Sequence, residues 1–463
     1  MTAAYALPHP PLAVENIGRG QEKDIKKTLQ SFERIAKEIA DIKPETIIFI
    51  TPHNVSYADY FHISPGDTAK GDFGQFGAKN VSFQKEYDKA LISAIERYAS
   101  QAGIYAGTLG EKDNRLDHGV MVPMWFIDKS YSNYKCVRIS QSGMDPLTHY
   151  QFGQCIAQAV KDEGRNVVLI ASGDLSHKLK TDGPYGYAEE GPVYDTYITE
   201  ALDKADFMAL FSLPEKLHER AADCGYHSYL IMAGCFDKQI VKSSLLSYEG
   251  PFGVGYAAAS FYPNGIDESR CFGLMYEKQI LTETEEAKST EDAFRSLARK
   301  SLEYAVNNGV SLRLAQDEYL NLPDEMRNTK AGTFVSLHKA GQLRGCVGTI
   351  SATTNCIADE IIQNAVSAGL HDNRFEPVTP DELIWLTYKV DVLGDAEDID
   401  SAAELDVKQY GVIVTNGMKR GLLLPNLEGI DTVDEQIAIA RRKAGISENE
   451  RITLQRFEVT RHE

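Results

Sequence analysis

The 463-residue sequence predicts an α/β domain, built as a mixed sheet covered by helices, followed by a smaller α+β domain. Three observations carry this. Short β-branched runs alternate with amphipathic helical patterns through the N-terminal part, the arrangement that places helices against a sheet. The chain exceeds the roughly 250–300 residues that one hydrophobic core organises. Between them, residues 277–291 are acidic and polar without a hydrophobic face, which predicts a linker joining domains at 1–276 and 292–463.

The elements follow in order. An apolar strand ends before Pro8-His9, and residues 45–51 read as a buried strand ending before Pro52-His53. Between them Ile25, Leu29, Phe32, Ala36 and Ile39 mark a helix face. Strand, helix and strand form a crossover unit with parallel strands, so both histidines reach the carboxyl edge, where open α/β sheets place their sites. Further strands are predicted at 134–139, 166–171 and 242–248, and helices at 83–98, 148–162 and 193–208. The second domain is predicted to hold helices at 292–307, 357–368 and 433–444, with strands at 332–337, 386–393, 411–415 and 419–424.

Composition narrows the function classes. A 43% hydrophobic and 25% charged chain is that of a soluble globular protein. The formal charge of −19 argues against nucleic acid or an anionic membrane as partner. No basic region precedes an apolar stretch and no segment is long enough to span a bilayer, so a cytoplasmic location is expected. The seven cysteines contain no Cys-x-x-Cys pair, which predicts reduced thiols rather than a disulfide framework or zinc ribbon.

Four groups of residues could do chemistry. His9 and His53, delivered to one sheet edge, suggest a metal. The loop Ser172-Gly173-Asp174-Leu175-Ser176-His177 follows a strand, so Asp174 and His177 could share a proton or orient each other. His118, in Asp117-His118-Gly119, is a candidate substrate contact or acid/base, and Glu249 follows an apolar strand, where its carboxylate could complete a metal triad. Two imidazoles and one carboxylate are the ligand set of non-haem Fe(II) oxygenases, while Zn(II) would accept the same donors and favour hydrolysis.

Pro8-His9-Pro10, Pro52-His53, Asp117-His118-Gly119 with Val122-Pro123, and Gly173-Asp174-Leu175-Ser176-His177 together resemble the landmarks of the class III extradiol ring-cleavage dioxygenases, the LigB-like family, in the same order. The resemblance implies that His9, His53 and Glu249 are iron ligands, that His177 is the active-site acid/base and that His118 contacts a substrate oxygen. The Memo family shares this fold, and Asp223-Cys224-Gly225 followed by His227 is similar to its Cys-Gly-x-His element, where a cysteine takes the third ligand position. Glu249 favours the enzyme-like branch here, with Cys224 read as a small buried side chain.

In the second domain, residues 341–350 contain Leu343-Arg344-Gly345-Cys346-Val347-Gly348-Thr349. The glycines suggest a turn or backbone packed too closely for a Cβ. Arg344 could bind an anion and Cys346 could be a nucleophile, although no nearby histidine supplies a base, and a structural cysteine is the favoured reading. With Asp372-Asn373-Arg374-Phe375, the stretch resembles the AMMECR family, a resemblance that gives Arg344, Cys346 and Arg374 no assigned role. The grouping called AmmeMemoRadiSam joins such a module to a Memo or LigB-like module and a radical SAM enzyme, which implies a radical SAM protein as pathway partner. The expected function is an Fe(II)-dependent, dioxygenase-like oxidoreductase using O₂ on an aromatic, catechol-like or otherwise chelating small molecule. The alternatives are a metal-binding Memo-like module without oxygen chemistry, and a zinc-dependent hydrolase. A homo-oligomeric state is left open.

Overall fold

Strand β1 (Ala3–Leu7) is buried along its whole length and lies inside a six-stranded sheet. The computed structural model describes residues 1–112, 115–427 and 429–463, and the chain divides into two units, Met1–Glu277 and Lys278–Glu463. In the first unit β2 (Thr46–Thr51) follows β1, and a two-stranded hairpin of β3 (Thr68–Phe73) and β4 (Ala78–Glu86) follows β2. Then come β5 (Lys135–Ser140), β6 (Val167–Ser172), β7 (Gln239–Glu249) and β8 (Tyr256–Ile266). The large sheet has the order β5-β2-β6-β1-β8-β7. β5, β2, β6 and β1 run parallel, and β8 and β7 add antiparallel pairings at one side. The mixed sheet read from the sequence is therefore the one observed.

Helix α1 (Lys26–Ile42) provides the crossover between β1 and β2 and buries Phe32, Ile35, Ala36 and Ile39. That stripe at three- and four-residue spacing is what drives the helix onto the sheet. Its first turn has no side-chain cap of its own. The 83–98 helix is corrected: β4 occupies its beginning, and α2 (Lys89–Gln101) starts only after Asp88, whose carboxylate accepts from the Leu91 amide. Phe83 and Lys85 alternate with Ser82 and Gln84 at period two, a strand signal the helical reading passed over. Helix α3 (His118–Ser130) begins at His118, α4 (Pro146–Glu163) connects β5 to β6, and α5 (Glu190–Lys204) and α6 (Tyr226–Gly234) precede β7.

The acidic linker is also corrected, because residues 277–291 lie largely within α7 (Phe272–Ser289). Phe272, Ile280 and Thr284 are buried on it, with Tyr276 half-buried between them. This four-residue spacing is a narrow helical stripe hidden among the glutamates.

In the second unit, α8 (Ala293–Asn308) and α9 (Ile357–Leu370) pack over a sheet whose strands are β9 (Thr333–Lys339), β10 (Gln342–Gly348), β11 (Leu386–Leu393) and a C-terminal strand. A second four-stranded sheet holds β12 (Glu397–Ile399), β13 (Gly411–Asn416), β14 (Lys419–Leu423) and β15 (Thr453–Phe457), with α10 (Val433–Ala444) against it; the C-terminal strand of the first sheet is β16 (Val459–His462). The 341–350 stretch is the turn and second strand of the β9–β10 hairpin. Its close packing is real: a Cβ on Gly345 would sit 2.2 Å from the Ala368 carbonyl oxygen of α9. No helix among the described residues is long and apolar enough to cross a membrane.

Candidate metal centre

Parallel pairing aligns the strand ends, with Leu7 of β1 opposite Ser172 of β6 and β2 alongside on the other side of β6. Pro8-His9, Pro52-His53 and Gly173-Asp174 therefore leave one carboxyl edge together, as the crossover topology predicts. His9 Nε2 lies 2.9 Å from His53 Nε2. The third donor is Cys224, whose Sγ is 3.6 Å from His9 Nε2, and the three atoms lie within 4.8 Å of one another.

Glu249 is not that donor. Its Oε2 accepts from the Thr28 amide (2.8 Å) and the Thr28 hydroxyl (2.9 Å). It caps, from a distant strand, the helix α1 whose own sequence supplies no capping side chain, so its carboxylate satisfies one orphan amide and a hydroxyl of the first turn. Cys224, read from sequence as a small buried side chain, takes the position that the Memo-like element implies.

The donor set fits a metal ion. Two ligands held at about 2.1–2.3 Å from one ion and subtending 90–110° lie about 3.0–3.7 Å apart, close to the His9–His53 and His9–Cys224 separations. The tautomer of His9 also fits. Ser172 Oγ donates its proton to the Gly119 carbonyl (2.5 Å), so at 2.9 Å it accepts from His9 Nδ1, which leaves the Nε2 lone pair turned to the cluster. Burial, then the neighbouring His53, His118 and His177, hold the His9 imidazole well below its ordinary range, and burial with His118 brings His53 down to about 4. Both rings are therefore neutral near pH 7, the form that binds a metal. Burial and the charges of Asp174 and Asp223 push the Cys224 thiol up, and a cation beside the sulfur reverses that balance.

The sulfur reaches the histidines through a close backbone contact. A Cβ on Gly173 would lie 2.1 Å from Gly225 Cα, so only glycine admits the 223–225 loop against the β6 turn. The Asp174 amide donates to Cys224 Sγ (3.2 Å), the Cys224 amide to the Asp174 carbonyl (3.3 Å), and Gln141 Nε2 to the Cys224 carbonyl (2.8 Å).

His118, first residue of α3, stacks on His53 with ring centroids 4.2 Å apart and meets His9 edge-on at 5.3 Å. Its neighbour Asp117 accepts from Thr51 Oγ1 (2.6 Å) and faces Arg138, which fixes the start of the helix. Asp174 accepts from the His9 amide (2.8 Å), and burial pushes its carboxyl up to about 7. His177 stacks on Tyr185 at 5.0 Å, so among the described residues the expected Asp174–His177 pair does not form and each has a different partner. A cavity of about 1180 Å³ opens beside the cluster, with His53, His118, Phe76 and Met121 in its lining. Sequence reasoning gave no role to Ser172, although it opens the loop that carries Asp174 and His177, and passed over Tyr185, whose place beside His177 depends on the loop path.

In the second unit the motif side chains pair with one another. Arg344 Nε and Nη2 donate to the two Glu382 oxygens at 3.0 and 2.9 Å, and Arg374 donates to both oxygens of Asp372 at 2.9 and 2.7 Å. Asp372 also accepts from the Cys346 amide (2.9 Å), and Ser336 Oγ donates to Cys346 Sγ (3.2 Å). Burial pushes the Cys346 thiol up, away from nucleophilic thiolate.

Comparison with known proteins follows the same division. Residues 3–259 match the family described as the catalytic LigB subunit of aromatic ring-opening dioxygenase, and residues 295–462 match AMMECR1. Protein CA_C1420 of Clostridium acetobutylicum is 43% identical over 465 aligned positions, covering 99% of this chain and 98% of that protein. A protein of Thermotoga maritima is 49% identical over 144 positions, covering 31% of this chain and 83% of its own length. Among solved structures, PH0010 from Pyrococcus horikoshii aligns with 27% identity and a TM-score of 0.33 over 36% of this chain and 88% of that one.

Proposed function

This chain belongs to the family of the catalytic LigB subunit of aromatic ring-opening dioxygenases, with an AMMECR1 domain after it, and on that premise we propose that its first unit is a metal-dependent oxidoreductase that uses O₂ on a catechol-like, chelating small molecule. The observation that carries the reading is the convergence of His9, His53 and Cys224 donor atoms on one sheet edge beside His118 and an open cavity. These three residues would hold the ion, Fe(II) by preference. When bound, it supplies the electron transfer that makes reaction of an organic substrate with O₂ feasible.

The remaining roles fall to the chain's own side chains. His118, stacked over His53, hydrogen-bonds a substrate oxygen at the cavity floor. His177 moves a proton, its ring steadied by Tyr185. Asp174 holds the His9 backbone in place. A radical SAM protein acts in the same pathway, a link supported by the pairing of the two modules in one chain.

One observation favours a second reading. A thiolate in place of the expected carboxylate is a softer donor that suits Zn(II) as well as iron. This supports a Memo-like metal module without oxygen chemistry. Anaerobic reconstitution with Fe(II), followed by metal analysis and O₂ uptake with a catechol panel, separates the two. Uptake that depends on iron and is absent with Zn(II) supports the oxidoreductase; retained iron with no uptake sinks it in favour of the metal module.

A further inference from the structure

The cavity beside the metal cluster is far larger than a single ring needs. An enclosed space of roughly 150 Å³ accommodates benzene, whereas this one is a cleft open to solvent, of about 1180 Å³. Its inner end is narrow in chemistry: Phe76 meets the His118 ring edge-on at 5.6 Å, and Met121 lies beside them. That end suits the planar head of a chelating ligand.

The outer end is different. It is the exposed face of the β3–β4 hairpin, where Lys70 stands opposite Gln84 and Asp72 opposite Ser82. All four are exposed, while Ala69, Phe73 and Phe83 on the same strands are buried. Directly opposed residues on an antiparallel pair have neighbouring side chains, so two rungs of polar groups line the cavity that His53 and His118 also line. The rungs mix donors with acceptors: an ammonium beside a carboxamide, then a hydroxyl beside a carboxylate whose Oδ1 accepts from the Gly74 amide (2.7 Å) and whose second oxygen is the one offered to a ligand. Such a ladder matches a chain of amides, which offers N–H and C=O in alternation, and it gives no advantage to a greasy tail.

We propose that the hairpin face is a substrate subsite that binds an amide-linked chain attached to the chelating head, so that the ligand class is a catechol-type ring carrying a peptide-like tail. This rests on the metal-chelate reading of the first unit and adds the part of the substrate which that reading leaves undefined.

The test uses the full chain loaded with Zn(II), which permits binding without turnover. Titration calorimetry compares 3,4-dihydroxybenzamide with 3,4-dihydroxybenzoyl-triglycine, two ligands with the same head. The expected result is at least tenfold tighter binding of the tailed ligand, an advantage that falls to about twofold or less in a Lys70→Ala/Gln84→Ala variant while the benzamide affinity stays the same. Both substitutions are at exposed positions, and an unchanged melting temperature and zinc content verify that the variant is folded. Equal affinities in the unsubstituted protein, or an advantage that survives the substitutions, overturn the subsite. If zinc is retained and neither ligand binds, the chelate reading itself fails, a result distinct from loss of the tail effect alone.

Discussion

His9 and His53 in the first unit turn Nε2 toward a shared cluster, whereas Arg344 and Arg374 in the second unit direct their guanidinium groups at Glu382 and Asp372. Both sets come from short motifs that are equally conspicuous in the sequence. The difference is what surrounds them: neutral rings gathered at strand ends leave lone pairs available, while a cation next to a fixed carboxylate has its charge answered inside the fold. A conspicuous motif is thus a candidate for chemistry only after its internal partners are known.

The largest expected effect tests the open side. His9→Ala and His53→Ala each lower affinity for Fe(II) or Zn(II) at least 100-fold by metal analysis after dialysis, because each removes one of three donors. Arg344→Ala leaves metal content unchanged.

Acid should separate the two units next. In the first, burial lowers seven imidazoles, those of His9, His53, His62, His118, His149, His177 and His227. The unfolded chain then takes up protons below about pH 6.5 that the folded chain refuses, so stability is full above that value and is lost as pH falls toward 4. Fully buried His149, held to about 4, contributes on the order of 3 kcal/mol to this loss. Burial raises the carboxyls of Asp128, Asp174 and Asp195, which oppose the trend over the same range but are outnumbered. In the second unit Arg374 holds Asp372 well below the usual carboxylate range, so its contribution persists until pH drops below about 3.8. Hydrogen exchange at pH 5 against pH 7 should show opening in the first unit and little change around Asp372; the reverse order would break the comparison.

Arg344→Ala should destabilise the second unit by about 1–2 kcal/mol, since it strands a half-buried Glu382. The added change Glu382→Ala should recover part of that loss in a thermal melt. The smallest effect is expected from Glu249→Gln, about 1 kcal/mol through a weakened cap on α1, with metal content unaltered. Loss of metal in that variant would return Glu249 to the ligand set.

Periodicity and turn chemistry made much of the fold legible. β11 and α10 fall at the predicted bounds because β-branched alternation and the Thr432 capping box are local signals. The hairpin at 83–86 and the stripe along α7 were obscured because mixed polar and apolar residues fit two periods at once. At the site, His9 and His53 were readable from strand ends, since parallel topology delivers both to one edge. The third donor was not decidable: Glu249 and Cys224 both follow or precede regular elements, and which one faces the histidines depends on contacts between segments far apart in sequence. The helix α1, lacking a cap, claims the carboxylate and leaves the place to sulfur.

The contact between Gly173 and Gly225 bears on when the centre comes into being. His9, His53 and the β6 turn are brought together by parallel pairing of strands far apart in the chain, and the thiol joins them through a second contact, made by a segment about fifty residues beyond that turn. Both closures are long-range, so the complete cluster of three donors is a property of the finished chain. Before the glycines meet, an incoming ion would find two imidazoles at most; their contact would bring the third donor.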